Sequence, residues 1–262
     1  MNATADLVDR PAFSLVGRLR IALRLAGMLL LLLACVPLYY LWRIIRLPNP
    51  WPRLFLGGIA KVAGARVSIA GKRASGGAFL LSNHVSWLDI PIIAGASGSA
   101  FVAHSGLADV GLLKWLCEMN DTVFVARHER RSVHAQVEQV RAALTDTGAL
   151  TVFPEGTTSD GTGLLPFKSS LLSALDPPPE GIAIQPIWVD YGAGAPNIAW
   201  VGEEHGLANF LKILARRKPV PVTLHFLPVL TEAETANRKT TAIAARERIL
   251  AAMALQQVKP GR

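Results

Sequence analysis

Between residues 25 and 42 the chain carries no charge, reading LAGMLLLLLACVPLYYLW. Such a run has to leave water, either for a packed core or for a lipid bilayer. As a helix it is just long enough to cross a bilayer. Arg18, Arg20 and Arg24 precede it, while Arg43, Arg46 and Arg53 follow it. With basic residues on both flanks, charge asymmetry does not orient a single span. Pro37 falls inside the run and is expected to kink it. A second segment, residues 51–62, sets Trp51, Leu54, Phe55 and Ile59 at helical spacing. The two segments are a candidate hairpin held in one face of a membrane, in competition with a through-span. In either arrangement the flanking arginines are expected at anionic head groups.

The rest of the composition agrees with a membrane-bound protein. Of 262 residues, 51% are hydrophobic, which is high for a soluble domain, and the net charge of +8 asks for an anionic partner. No nucleic-acid partner is expected, because the aromatics are not interleaved with basic residues as stacking platforms. An anionic membrane surface suits the charge better, since arginines crowd the apolar run. Cys35 and Cys117 offer neither a disulfide framework nor metal-ligand spacing, so both read as packing residues and no metal is expected. Leu32-Leu33-Ala34-Cys35 has the form of a lipoprotein cleavage site. The chain stays apolar after the cysteine, however, and that argues against processing there.

Beyond residue 64, short apolar strands alternate with helical segments. Residues 65–70, 101–104, 122–126, 150–153, 182–191 and 220–227 read as strands, joined by the run GAFLL before Ser82. Residues 111–119 read as a helix. Ser132 is a helix cap ahead of Val133, Val137, Val140 and Leu144, with Gly148 as the stop; residues 232–256 read as a closing helix. Residues 1–11 are expected to be disordered, and 176–179 form a stiff proline loop. The alternation predicts an α/β fold with a mostly parallel central sheet flanked by helices. Two regions follow: a membrane-associated helical segment over 1–64 and a catalytic domain over 65–262.

Two stretches carry the chemistry. In LSNHVSWLDI (residues 81–90) a strand ends in Ser82-Asn83-His84, and Asp89-Ile90-Pro91 opens a helix. His84 is thus placed at the carboxyl end of a strand, with Asp89 returning beside it. A carboxylate on one ring nitrogen fixes the tautomer, which leaves the other nitrogen to act as a base. Ser86 comes too early in the turn for a nucleophile and reads as a turn hydrogen bond. In ALTVFPEGTTS (149–159) a second strand delivers Glu155 and Gly156.

NHVSWLD and FPEGTTS, with Phe124-Val125-Ala126-Arg127 between them and Ile184-Gln185-Pro186-Ile187 after them, resemble the four blocks of the glycerol-phosphate and lysophospholipid acyltransferases. The 1-acyl-glycerol-3-phosphate acyltransferases are the nearest type, and the likeness spans residues 51–230. It implies a general base, His84, oriented by Asp89. It also implies an acceptor site built from Arg127, Glu155, Gly156 and Thr157, to which Lys168 adds charge. Arginine's planar fork suits a phosphate, and Glu155 is expected to accept from a ligand hydroxyl or to hold Arg127. The implied co-substrate is an acyl thioester, on coenzyme A or acyl carrier protein, with no bound cofactor. The lysolipid acceptor is expected to be 1-acyl-sn-glycerol-3-phosphate, at the cytoplasmic face of the inner membrane. One departure opens an alternative, because relatives carry lysine where this chain has His104. Lyso-ornithine lipid is the acceptor of a related subfamily, which residues 184–191 and Ala199-Trp200-Val201-Gly202 also resemble. An inert lipid-binding protein is the remaining class, and joint retention of His84, Asp89, Arg127 and Glu155 argues against it.

Overall fold

The computed structural model describes residues 13–104, 109, 111–125, 143–144, 147–175 and 181–258. Arg127, Ser132, Val133, Val137 and Val140, the 176–179 loop and the first eleven residues lie outside them, while Leu144 is described as helical and buried. Helices α1 (Leu15–Ile44) and α2 (Trp51–Ala63) come first, then strands β1 (Ala65–Ala70) and β2 (Ala78–Ser82). Next follow α3 (Asp89–Ser97), β3 (Ala100–His104), α4 (Gly111–Met119), β4 (Val123–Val125) and β5 (Ala149–Val152). The chain closes with β6 (Ala183–Asp190), α5 (Gly206–Ala215), β7 (Val220–Phe226) and α6 (Arg238–Val258).

The strands form one seven-stranded sheet in the order β1-β7-β6-β2-β5-β3-β4. Every neighbouring pair is parallel except β6 with β7, so the sheet is mixed at one end and parallel elsewhere. Central β2 is buried along its whole length. Its alternate residues serve different cores: Leu80 packs with Ile92, Ile93, Ile187 and Leu214, whereas Phe79 and Leu81 pack with Leu150, Val152, Ile184 and Ala245. A strand covered on both faces reads as a continuous apolar run, which is what GAFLL is. The closing helix begins at Arg238 rather than at 232. The Asn237 side chain accepts from the amides of Lys239 and Thr240, satisfying first-turn donors and fixing the start. Helix α5 was not anticipated; its cap is His205, whose ring accepts from the Leu207 amide.

The apolar run belongs to α1, a 30-residue helix with mean hydropathy 2.4 over its most apolar window, of which 6% is buried. Pro37 lies within its span. α1 packs antiparallel on α2: Leu31 lies over Gly58, Val62 over Gly27, and Trp42 meets Trp51 edge-on at 5.5 Å. Three of the flanking arginines make contacts within the protein that the sequence pattern does not disclose. Arg20 donates to the Ala215 carbonyl, and Arg24 to those of Ile213 and Leu214. Arg53 donates to Gly95 and Ala96. Each caps orphan carbonyls at the end of a helix, α5 or α3, where a cation also meets the negative pole of the helix dipole. These guanidinium groups hold the hairpin to the sheet domain.

Helices α2 and α3 approach each other closely, and a Cβ on Gly95 would come 2.5 Å from the Gly57 Cα. Ala is ordinarily the better helix residue. Here the steric term wins, because the obstacle is backbone. Gly95→Ala is expected to destabilise the protein by about 1–3 kcal/mol, read as a lower thermal midpoint in detergent.

Candidate active site

Three adjacent parallel strands, β5, β2 and β6, end together and build the site at their carboxyl edge. Asn83 continues the ladder one residue past β2. Its side-chain amide donates to the Val189 carbonyl and its oxygen accepts from the Val189 amide, at 3.1 and 2.8 Å. With a side chain completing the pairing to β6, the main chain is free to turn and present His84.

His84 Nδ1 lies 2.8 Å from Asp89 Oδ2. The Asp89 side chain is fully buried and the imidazole is 17% exposed. The same Oδ2 accepts from the amides of Val85 and Ser86, at 2.7 and 3.0 Å. Oδ1 accepts from the Tyr191 hydroxyl at 2.6 Å. A buried carboxylate is tolerated when donors surround it, and here four converge. Since Nδ1 is committed to Asp89, it carries the hydrogen, and Nε2 is the lone-pair nitrogen available to a substrate. Phe153 stacks on the imidazole at 4.0 Å and 17°, which fixes the ring plane. Ser86 accepts from the Leu88 amide, the turn role expected of it.

The FPEGTTS turn clamps the histidine's backbone. Glu155 Oε1 accepts from the His84 amide at 2.7 Å, and Oε2 from the Leu165 amide at 2.9 Å. The His84 carbonyl accepts from both the amide and the hydroxyl of Ser159. Glu155 is buried, so its two oxygens are spent on the frame of the site. Burial pushes its carboxyl above the usual range, and the two amides and His84 offset part of that. A raised carboxyl favours the fold at low pH and loses that contribution as pH rises through the folded value. Glu155 thus costs stability at neutral pH and is kept for where it holds His84.

Gly156 adopts φ +68°, and a Cβ there would meet Lys168 Nζ and Leu171 Cδ1, each at 3.2 Å. The exposed Lys168 ammonium therefore sits over the glycine, while its amide donates to Pro154. Thr157 is exposed on the same turn, and Thr158 donates its hydroxyl to the Trp200 carbonyl. Gly156, Thr157 and Lys168 offer one cationic, accessible corner beside His84. Arg127 lies outside the described residues. β4 ends two residues before it, paired with β3 through His104 and Val125.

Tyr191 escaped the sequence reading. It follows β6 by one residue, is buried, and is pushed well above the ordinary phenol range by burial first and the Asp89 charge second. The hydroxyl thus stays protonated and donates at any working pH. The available signal was weak: a tyrosine directly after the proline-bearing strand.

A histidine on a buried carboxylate at a strand end, next to a cationic corner, is an arrangement suited to general-base chemistry on an anionic or hydroxyl-bearing substrate. Comparison with known proteins gives the class. The Acyltransferase family pattern matches residues 65–190. The lyso-ornithine lipid O-acyltransferase of Brucella abortus is 32% identical over 90% of this chain and 95% of its own length. That of Rhodobacter capsulatus is 29% identical over 94% of each chain. The 1-acyl-sn-glycerol-3-phosphate acyltransferase of Neisseria meningitidis is 31% identical over 62% of this chain and 64% of its own. In fold, the chain is similar to the crystal structure of the 1-acyl-sn-glycerophosphate acyltransferase PlsC from Thermotoga maritima. That likeness has a TM-score of 0.62 at 16% identity, covering 94% of this chain and all of that one. The chain belongs to the acyltransferase family.

Two substitutions separate framing from binding. Tyr191→Phe removes a hydrogen bond to a buried charge and is expected to lower kcat by about tenfold or more, with little change in either KM. Glu155→Gln sets an amide NH₂ against one of two backbone donors. It should lower kcat about tenfold at nearly constant acceptor KM. A raised acceptor KM at unchanged kcat would instead put Glu155 on the acceptor.

Proposed function

We propose that this protein transfers a fatty acyl group from an acyl thioester to the free hydroxyl of a lysolipid held in the inner membrane, working from the cytoplasmic face. The observation that carries the reading is His84 with Nδ1 fixed on buried Asp89 and Nε2 left for a substrate. Nε2 takes the proton of the acceptor hydroxyl as that oxygen attacks the thioester carbonyl. The imidazolium is stabilised by Asp89, which Tyr191 and two amides hold in place. When the tetrahedral intermediate collapses, the C–S bond breaks and the departing thiolate recovers the proton from His84. The products are an ester and a free thiol, carried by coenzyme A or acyl carrier protein. Nothing in these steps calls for a covalent acyl-enzyme.

The acceptor we favour is lyso-ornithine lipid. The relatives of that name from Brucella abortus and Rhodobacter capsulatus align along nearly their whole length, whereas the Neisseria glycerol-phosphate enzyme aligns over less than two thirds of its own. His104 in place of a lysine supports the same choice, because a neutral imidazole attracts a phosphomonoester less. The second reading, 1-acyl-sn-glycerol-3-phosphate, is supported by the Lys168–Gly156 corner, with Arg127 as the further phosphate ligand.

The hairpin supports attachment to one leaflet. Arg20 and Arg24 bind α5 near one end of α1, while Tyr40 accepts from Trp115 of α4 near the other. Between Arg24 and Tyr40 a helix advances about 24 Å, and the domain reaches both places. A through-span would need most of a ~30 Å hydrocarbon layer between them. Along α1 the exposed Leu19, Leu23, Leu30, Leu33, Leu41 and Ile44 form a lengthwise stripe suited to in-plane insertion.

Purified protein given acyl-coenzyme A or acyl carrier protein thioester and both lysolipids, read by mass spectrometry, tests the assignment. Esterified ornithine lipid should dominate. Preference for phosphatidic acid would establish the second reading, and thioester consumption without either acceptor would sink both. His84→Ala should cut transfer by roughly 100- to 10,000-fold with folding intact.

A further inference from the structure

Helix α4 lies between β3 and β4, the strands that lead toward His104 and Arg127. Its nine residues read GLLKWLCEM, and none is buried. Leu112 is 63% exposed and Leu113 41%. At 100° per residue Leu112, Leu113, Trp115, Leu116 and Met119 share one broad arc, while Lys114 and Glu118 occupy the other and pair at 3.7 Å. An amphipathic helix normally turns its apolar arc to the core. This one leaves its leucines in the open.

Two contacts tie α4 to the far end of α1. Trp115 Nε1 donates to the Tyr40 hydroxyl at 3.1 Å. The Arg43 guanidinium is within electrostatic reach of Asp121, just past the end of α4. The neighbouring part of α1 is itself apolar and open: Leu41, Ile44 and Ile45 are 48%, 77% and 48% exposed, and Leu47 is 53%. The exposed leucines of α4 therefore continue an apolar surface that begins on the hairpin.

We infer that α4 is a second, separate membrane contact: an interfacial helix whose Leu112–Leu113 edge enters the acyl region of the bilayer beside the tip of the hairpin. It rests on the reading of α1 as the membrane anchor. The pattern fits a helix in the interface plane, with leucines below, tryptophan at the boundary, and the lysine–glutamate pair in water. The partner is the lipid surface itself, since the face is continuous with that of α1. The consequence is orientation. A hairpin alone allows the domain to roll about its axis, whereas a second contact brings the carboxyl ends of β3 and β4 down to the head groups, where a lysolipid presents its hydroxyl.

Labelling of the full chain tests this. In a Cys35→Ala, Cys117→Ala background, cysteines replace Leu30, Leu112 or Glu118 in turn, each carrying an environment-sensitive fluorophore. The proteins are placed in vesicles of phosphatidylcholine and phosphatidylglycerol with brominated acyl chains. Quenching at 30 and 112, and at least severalfold less at 118, is the expected result. Quenching at 30 alone overturns the α4 contact and leaves the anchor standing. No quenching at 30 overturns the anchor and the inference with it. Equal quenching at 112 and 118 overturns it too, because the helix would then not lie in the interface plane. A 112 label shielded only in a detergent-stable dimer would assign the face to a second copy instead. Leu112→Asp combined with Leu113→Asp should lower activity on bilayer-borne lysolipid by about tenfold or more and leave a monomeric short-chain acceptor within about twofold. Unchanged activity on the bilayer-borne acceptor would count against the contact.

Discussion

The fully buried carboxylate of Asp89 is the constraint around which the catalytic region is arranged. An ionised group with no access to water is costly, and only a full set of donors makes it tolerable. Those donors come from two places: the His84 ring and the Val85 and Ser86 amides from the turn, and the Tyr191 hydroxyl from beyond β6. The turn must bend so that two consecutive amides point back at the helix start. β6 must lie next to β2 so that Tyr191 arrives opposite. The order of strands in the centre of the sheet is thereby linked to the orientation of one imidazole.

A second carboxylate, Glu155, does for the histidine's backbone what Asp89 does for its ring. It accepts from the His84 amide while Ser159 donates to the His84 carbonyl, so the residue is gripped on both sides by the turn after β5. This gives the FPEGTTS block a role before any substrate is considered. Its acid and its serine hold the His84 backbone, and its glycine lies under the exposed Lys168. Gly156 marks the point where the loop leaves the His84 frame, because its left-handed backbone turns the chain outward.

How much of this the sequence disclosed depends on whether the signal was local. The His84–Asp89 pair was legible because five residues of turn bring them together, and the strand ahead of them is apolar without interruption. The α/β class was legible from alternation alone. The antiparallel placement of β7 was not, since strand direction is decided by the path of α5, whose GLANFLKILA segment begins on a glycine after a histidine cap rather than on a serine or aspartate. Tyr191 was hidden because its partner is 102 residues away in sequence. Glu155 was visible, but its use was not, because an amide donor leaves no mark on a side-chain pattern. The arginines around α1 and α2 were read by composition as head-group ligands. Arg20, Arg24 and Arg53 turn out to answer helix-end carbonyls, a need that exists only once α3 and α5 are placed.

Those arginine caps make α3 the part through which anchor and chemistry are joined. At its first residue stands Asp89; at its last turn the Gly95 and Ala96 carbonyls are held by Arg53 of α2, and in that same turn the two helices touch backbone to backbone at Gly57 and Gly95. A nine-residue helix is a stiff rod about 13 Å long, so a shift of α2 at one end is carried to Asp89 at the other. Contact through glycine backbones has no flexible side chains to absorb it. For an acyltransferase this rigidity matters, because transfer chemistry tolerates little misplacement of the reacting groups. The position of α2 against the domain is therefore coupled through α3 to the position of Asp89, and through it to His84.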